Sequence, residues 1–133
     1  RKNAGRNFTV ASIDLDGLKN INDHYGHDEG DFAISSVADA IRSIPIENKI
    51  CGRFGGDEFV ICALKTSGDE ERLIREHIAG YLANIVKESG VPYNITVSIG
   101  TCCSEGKPDF DGMLKVSDEN MYAEKNAKPN RRK

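Results

Sequence analysis

The stretch Arg53-Phe54-Gly55-Gly56-Asp57-Glu58-Phe59 constrains the fold more than any other part of the chain. A short apolar run, Ile50-Cys51, leads into it, and a longer one, from Phe59 to Leu64, leaves it. Two glycines between strand-like runs predict a tight β-hairpin. The favoured two-residue turns need positive φ, which glycine adopts without a Cβ clash. Asp57 and Glu58 then stand together at the mouth of an apolar strand, where a merely structural strand gains nothing from them. Gly55 and Gly56 leave the backbone bare to a bulky anion. Acids beside bare backbone point to a metal-bound phosphate. Taken alone, the same residues also describe a solvated hairpin tip.

A second acidic cluster upstream changes the weighing. Residues 8–15 read as a strand apolar on both faces, as in a central strand covered by helices. The strand ends in Asp14-Leu15-Asp16, two acids whose spacing puts them on one side. Gly17 follows, then a polar stretch from Lys19 to Asp31 in which Leu18, Ile21 and Tyr25 recur at helical spacing. If the first strand lies beside the hairpin, Asp14 meets Asp57. Facing carboxylates repel and raise one another's pKa unless a divalent cation sits between them. Such oxygen ligands suit Mg²⁺ (or Mn²⁺), which takes one or two carboxylates and completes its shell with phosphates. Lys19 is placed to neutralise a phosphate as a point charge. Asp16 reads as structural, bonding to backbone rather than metal.

Downstream, Ile34, Val37, Ala38 and Ile41 give an amphipathic helix that Pro45 closes. Ser67-Gly68-Asp69-Glu70 has capping-box spacing and opens a second helix with Ile74, Ile78, Tyr81, Leu82 and Ile85 on its apolar face; Gly90 stops it. Ile95, Val97 and Ile99 alternate with polar residues as a half-buried strand ending at Gly100. Asp109 caps a last helix whose face is Phe110, Met113, Leu114, Ser117 and Met121. This order predicts an α/β fold: a mixed central sheet with flanking helices and a central β-hairpin, close to the split β-α-β, ferredoxin-like arrangement.

The 133 residues suffice for one domain, 1–133, with a real core. A net charge of −3 supplies no global basic field for nucleic acid. The terminal run Lys125, Lys128, Arg131, Arg132, Lys133 reads as solvated. Cys51, Cys62, Cys102 and Cys103 lack C-x-x-C spacing and read as reduced thiols in a cytoplasmic protein, three of the four in apolar, strand-like stretches where cysteine acts as a small buried hydrophobe. No apolar run reaches the ~20 residues of a membrane span, so no membrane contact is expected from this segment. Opening at Arg1, the sequence reads as a piece of a longer signalling protein.

Gly55-Gly56-Asp57-Glu58-Phe59 spells the signature of the GGDEF-domain diguanylate cyclases, and the likeness extends well beyond it. The segment from Asp14 to Asp23 resembles the family's D-x-D-x-(F/L)-K-x-x-N-D, and Tyr25-Gly26-His27, Gly30-Asp31, Ser98-Ile99-Gly100 and Tyr122 with Lys125 match later landmarks. The resemblance implies a nucleotidyl-cyclase palm and condensation of two GTP into cyclic di-GMP with loss of two pyrophosphates. Each of two transiently paired, face-to-face copies would hold one GTP. Carried over by position, Asp14, the Leu15 carbonyl, Asp57 and Glu58 would bind metal, and Asp57 would help remove the hydroxyl proton. Lys19, with the backbone of Gly17 and Leu18, would hold the phosphates. Asn22 and Asp31 would read guanine with His27 nearby, and Lys125 would reach the phosphate tail. Guanine's adjacent N–H donors suit a carboxylate such as Asp31, although an acid beside a helix start is by default a cap.

The sequence departs from the pattern at two places. Members often carry Lys-x-x-Gly-Arg, and here Lys128 and Pro129 stand at the glycine and arginine positions. Many also carry an inhibitory cyclic di-GMP site, Arg-x-x-Asp, where this chain has Ile46 and Lys49. An active cyclase and a catalytically silent GTP- or partner-binding regulatory module are therefore both expectations to carry forward.

Overall fold

The computed structural model describes residues 7–64, 68–104 and 109–128. The first strand, β1 (Phe8–Leu15), is central. Strand β3 (Glu58–Leu64) flanks it on one side and β4 (Val97–Ser104) on the other, and β2 (Lys49–Phe54) lies outside β3. The order β2-β3-β1-β4 is that of the ferredoxin-like fold, as expected. Every ladder is antiparallel, so the sheet is not mixed. Each β-α-β unit returns its second strand one position away, leaving an antiparallel neighbour between the two parallel ones.

Alternation along the strands divides the side chains between two layers. Ala11, Ile13 and Leu15 of β1, with Phe59 and Ile61 of β3 and Ile99 of β4, form the main core. Against it pack α1 (Leu18–Tyr25), α2 (His27–Arg42) and α3 (Glu70–Ser89) through Ile21, Val37, Ile41, Ile74, Ile78 and Leu82. Each fully buried Leu or Ile contributes about 1.5–3 kcal/mol of transfer free energy. The even-numbered positions face the other way. Val10 and Val60, with Cys62 and Cys102 beside them, meet Met113 and Leu114 of α4 (Phe110–Ala127) in a smaller cluster.

Small residues set how closely α4 lies on the sheet. Ser12 of β1 is paired with Gly100 of β4, and the Ser12 hydroxyl lies 2.8 Å from that of Ser117. At Gly100 the α4 backbone comes so near that no side chain fits between. Gly100 is therefore not the end of a strand but its middle, and β4 runs on to Ser104. Ile95 is buried but precedes the strand. The outer edge of β4 is occupied by side chains: Arg75 donates to the Ile99 carbonyl, Glu124 accepts from the Ile99 N–H, and Asn120 donates to the Thr101 carbonyl. These contacts leave little of that edge open to strand addition.

Other expectations need correction. The hairpin turn is three residues long, since Phe54 is paired with Glu58, and of its two glycines only Gly55 has positive φ. Phe110 is 43% exposed rather than on the buried face of α4, where Met113, Ser117 and Met121 lie. The four cysteines are free, but none is fully buried: Cys51 and Cys103 are exposed because they lie near strand ends and outer edges. Helix α2 begins at His27, earlier than its apolar face suggested, because Gly26 at φ 99° joins it directly to α1. Asp109 caps α4 as expected, accepting from the Gly112 N–H at 3.3 Å, and Gly90 ends α3 in the left-handed region. The Ser67 cap lies outside the described residues, as do Pro129, Arg131, Arg132 and Lys133. Among the described residues, no helix is long and apolar enough to cross a membrane.

Candidate functional site

The C-terminal end of β1 gathers the acids. Asp14 is only 6% exposed and lies on the α4 side of the sheet. Its cross-strand partner is Glu58 rather than Asp57, since β3 begins at Glu58 and Asp57 lies in the turn. Asp57 is nonetheless held beside it: the Leu15 N–H donates to the Asp57 carbonyl at 3.0 Å. Burial pushes the Asp14 carboxyl up to about 6, with Lys125 opposing and Asp57 adding to the rise. Glu58 is pushed up to about 7, first by burial and then by Asp118, Asp14 and Asp57. The Asp14 Oδ1 atom is buried and has no hydrogen-bond partner among the described residues. Buried carboxylate oxygens are ordinarily satisfied, so this one has acceptor capacity to spare.

Next to the acids is the start of α1. Its N-cap is Gly17 in the left-handed region, no side chain caps it, and its first turn carries no acid. The free N–H groups and positive dipole end of such a helix suit an anion. Helices α1 and α2 then meet at Gly30. A Cβ there would stand 1.8 Å from the Asn22 Oδ1, so the missing side chain is what seats Asn22 on α2, one residue before the exposed Asp31. The expected base-reading pair, Asn22 and Asp31, is thus brought to one place, with His27 exposed one turn earlier on α2. A cavity of about 380 Å³ opens on another face of α1, between it and residues 92–94, lined by Asp16, Gly17, Ile21, Tyr25 and Tyr93 among others but by none of Asn22, His27 and Asp31. The apolar groove between α3 and β4, lined by Ile78, Leu82 and Ile95, contains none of these groups.

Two lysines differ from expectation. Lys19 is exposed on α1 and paired with Asp23 at 2.7 Å, so it does not reach the acids. Lys125 does. Its ammonium lies 3.5 Å from Asp14 Oδ2, 3.2 Å from the Leu15 carbonyl and 3.1 Å from Asp16 Oδ1. Lys128 is also drawn in, donating at 2.6 Å to both Asp16 Oδ2 and the Val97 carbonyl. Neither lysine belongs to a solvated tail. Asp16 is structural, as expected, but its partners are mainly side chains: Thr96, Ser98 and the two lysines. Burial acts to raise its pKa, and the bonds from Lys128, Ser98 and Lys125 outweigh it, holding the carboxyl below 3.8.

Asp118 was not foreseen. It acts on Glu58 from α4, and its Oδ1 is a second buried oxygen without a partner. Exposed Tyr122 faces the same acids, its hydroxyl pKa raised chiefly by Glu58. The signal was in the spacing: 118, 122 and 125 fall at i, i+4 and i+7, one polar stripe along a helix otherwise read for its apolar face. Among the described residues no three His, Cys, Asp or Glu side chains converge into a metal-holding group. What the site offers a hard cation is two or three carboxylates and a backbone carbonyl.

Comparison with known proteins agrees with this geometry. The pattern of the diguanylate cyclase GGDEF domain matches residues 1–131. Diguanylate cyclase DgcM of Escherichia coli (strain K12) is 35% identical over 126 residues, 95% of this chain and 30% of its own length. The chain thus spans about a third of such relatives. Among solved structures, the active GGEEF domain of a diguanylate cyclase from Vibrio cholerae superposes with a TM-score of 0.76 at 28% identity, covering 91% of this chain and 78% of that one. Diguanylate cyclase SiaD from Pseudomonas aeruginosa, solved with its activator SiaC, gives a TM-score of 0.79 at 25% identity, covering 92% of this chain and 48% of that one. On both the sequence match and the shared sheet, this chain belongs to the GGDEF-domain family of diguanylate cyclases.

Proposed function

We propose that the domain condenses two GTP into cyclic di-GMP, releasing two pyrophosphates, when two copies meet face to face. The observation that carries this reading is the pairing of a buried, under-satisfied carboxylate, Asp14, with an uncapped helix start at Gly17-Leu18. The first suits a cation and the second a phosphate. Asp14, the Leu15 carbonyl, Asp57 and Glu58 would hold Mg²⁺ or Mn²⁺; the orphaned Asp14 Oδ1 fits that donor set. When bound, the cation supplies charge neutralisation at the α-phosphate and acidifies the attacking 3′-hydroxyl.

The chain's own residues do the rest by position and charge, as phosphoryl-type transfer requires. The backbone of Gly17 and Leu18 receives phosphate oxygens, and bare Gly55 and Gly56 let the triphosphate approach the hairpin. Asn22 and Asp31 accept and donate along the guanine edge, with His27 beside them. Asp57 takes the 3′-hydroxyl proton at its carboxylate. Lys19 exchanges Asp23 for phosphate, a small loss because exposed ion pairs are worth about 0–1 kcal/mol. Lys125 turns to the phosphate tail.

A second reading, GTP binding without turnover, is favoured by one observation: Lys19 rests on Asp23, away from the acids. Incubation with GTP and Mg²⁺, followed by chromatography, separates the two. The first reading expects cyclic di-GMP at a rate per molecule that rises with protein concentration, and none from Asp57→Asn. Nucleotide binding with no product would support the silent module instead.

A further inference from the structure

The Lys125 ammonium rests on two of the groups that the proposed function gives to a divalent cation, the Asp14 carboxylate and the Leu15 carbonyl. It donates to the Leu15 carbonyl and Asp16 Oδ1 and makes an ion pair with Asp14 Oδ2. The arrangement is built into the fold. Lysine is seldom buried, yet the Lys125 side chain is only 20% exposed. Helix α4 delivers it there because Gly100, Ser12 and Ser117 let that helix lie close on β1 and β4. Without it, Asp14 would be a buried carboxylate with no counter-charge, a costly state.

Lys128 divides the labour. It holds the far oxygen of Asp16, Oδ2, and the Val97 carbonyl, both at 2.6 Å. Asp16 also accepts from Thr96 and Ser98. Asp16 therefore stays neutralised and fixed whether Lys125 is present or gone. Among the described residues Asp14 has no second cation: its Oδ1 is orphaned and Lys125 stands 3.5 Å from its Oδ2. The weakest of the Lys125 contacts is thus the one on the expected metal ligand. Lys128 stands where the family pattern has glycine, so this second clamp is a feature of this sequence.

We infer that Lys125 is a resident cation of the seat formed by Asp14 and the Leu15 carbonyl, which a divalent metal must displace. The inference rests on the reading of those two groups as metal ligands. An ammonium and a divalent ion repel each other strongly on one carboxylate and compete for the Leu15 carbonyl, so bare metal binds mainly the fraction of molecules in which Lys125 has left. Metal arriving on a triphosphate brings anionic oxygens to which the displaced ammonium can move. The seat thereby discriminates against bare metal in favour of metal–nucleotide.

The test is Mn²⁺ binding to the nucleotide-free, full 133-residue chain, followed by the electron paramagnetic resonance signal of free Mn²⁺. Wild type, Lys125→Met, Lys128→Met and Asp14→Asn are compared, with folding checked by circular dichroism. Removing the resident charge should tighten Mn²⁺ by about tenfold in Lys125→Met, given a like charge within a few ångströms in a partly screened site. Asp14→Asn should lose the site, and Lys128→Met should change affinity much less than Lys125→Met. If Lys125→Met does not fold, Lys125→Gln gives the same readout. In wild type, the Lys125 ammonium resonance should also lose its protection as Mg²⁺ is added. Loss of binding in Asp14→Asn with unchanged or weaker binding in the Lys125 variants overturns the inference and leaves the metal reading standing. Unaltered binding in Asp14→Asn overturns both.

Discussion

A Cβ placed on Gly100 would stand 2.1 Å from the backbone nitrogen of Met121, and 2.2 Å from the Ser117 carbonyl oxygen. Backbone on backbone cannot give way as a side-chain tip can, so helix α4 is seated by the absence of one methyl group. The ion-pair cluster at the end of β1 depends on that seat, since Lys125 and Lys128 come from the same helix.

Gly100→Ala should therefore lower stability by about 1–3 kcal/mol, the range for overpacking a close interface. Gly52→Ala makes a good comparison. Its Cβ would meet only the Phe54 ring, at 3.2 Å, and that ring is half-exposed and free to shift. Urea unfolding should give a small change at Gly52 and a large one at Gly100. Equal values would mean that α4 tolerates displacement.

Stability without divalent cations should fall as pH rises. Asp14 goes from 3.8 to about 6 through burial, with Lys125 opposing, and Glu58 from 4.5 to about 7 through burial and then Asp118. Both folded-state values lie above the unfolded ones, so the folded protein keeps protons that the unfolded chain has released. The contribution of these two groups is fully present below about pH 4 and declines up to about pH 7, while that of Asp16, whose pKa is lowered, is lost only in stronger acid. The loss should be on the order of 2 kcal/mol from Asp14, with less from the more exposed Glu58. Asp14→Asn should flatten the lower part of the profile, measured by unfolding in chelator at several pH values. A profile that rises across this window would contradict the assignment.

Base choice should depend on the α1–α2 contact. Asp31→Ser is expected to relax preference for GTP over ATP, because guanine's two donors lose their acceptor. Gly30→Ala should act differently: its Cβ displaces the Asn22 side chain, weakening binding of both nucleotides by about tenfold, the loss of one or so hydrogen bonds. Calorimetric titration with GTP and ATP analogues distinguishes the two effects. If Asp31→Ser leaves discrimination intact, Asp31 is only an exposed acid in the second turn of α2.

Feedback by product at the second, inhibitory site common in the family should be absent. Ile46, at the arginine position, packs against the main core. Lys49, at the aspartate position, spends its ammonium on the carbonyls of Arg42 and Ile44 at the end of α2, at 3.2 and 3.0 Å. Neither can grip guanine as an arginine fork or a carboxylate does. With the catalytic half-site filled by a nonhydrolysable GTP analogue, calorimetry should detect no tight cyclic di-GMP site. Tight binding weakened by Lys49→Ala would refute this.

The elements themselves were legible in the sequence because their causes are local. A run apolar on both faces marked β1, helical spacing marked α2, α3 and α4, and Asp109 and Gly90 marked ends through bonds made within a turn. The glycines and acids of the hairpin were legible for the same reason. The partnership of Asp14 with Glu58 was not, because the β1–β3 register joins strands far apart in the chain and is set by how their faces pack. Nor was the position of Lys125, whose contact with the Leu15 carbonyl spans 110 positions of sequence. Spacing along a helix fixes which way a lysine points relative to its neighbours, not which strand end lies opposite it. That was decided by Ser12, Gly100 and Ser117, small residues from three separate elements whose joint effect exists only once the sheet has formed and α4 has closed upon it.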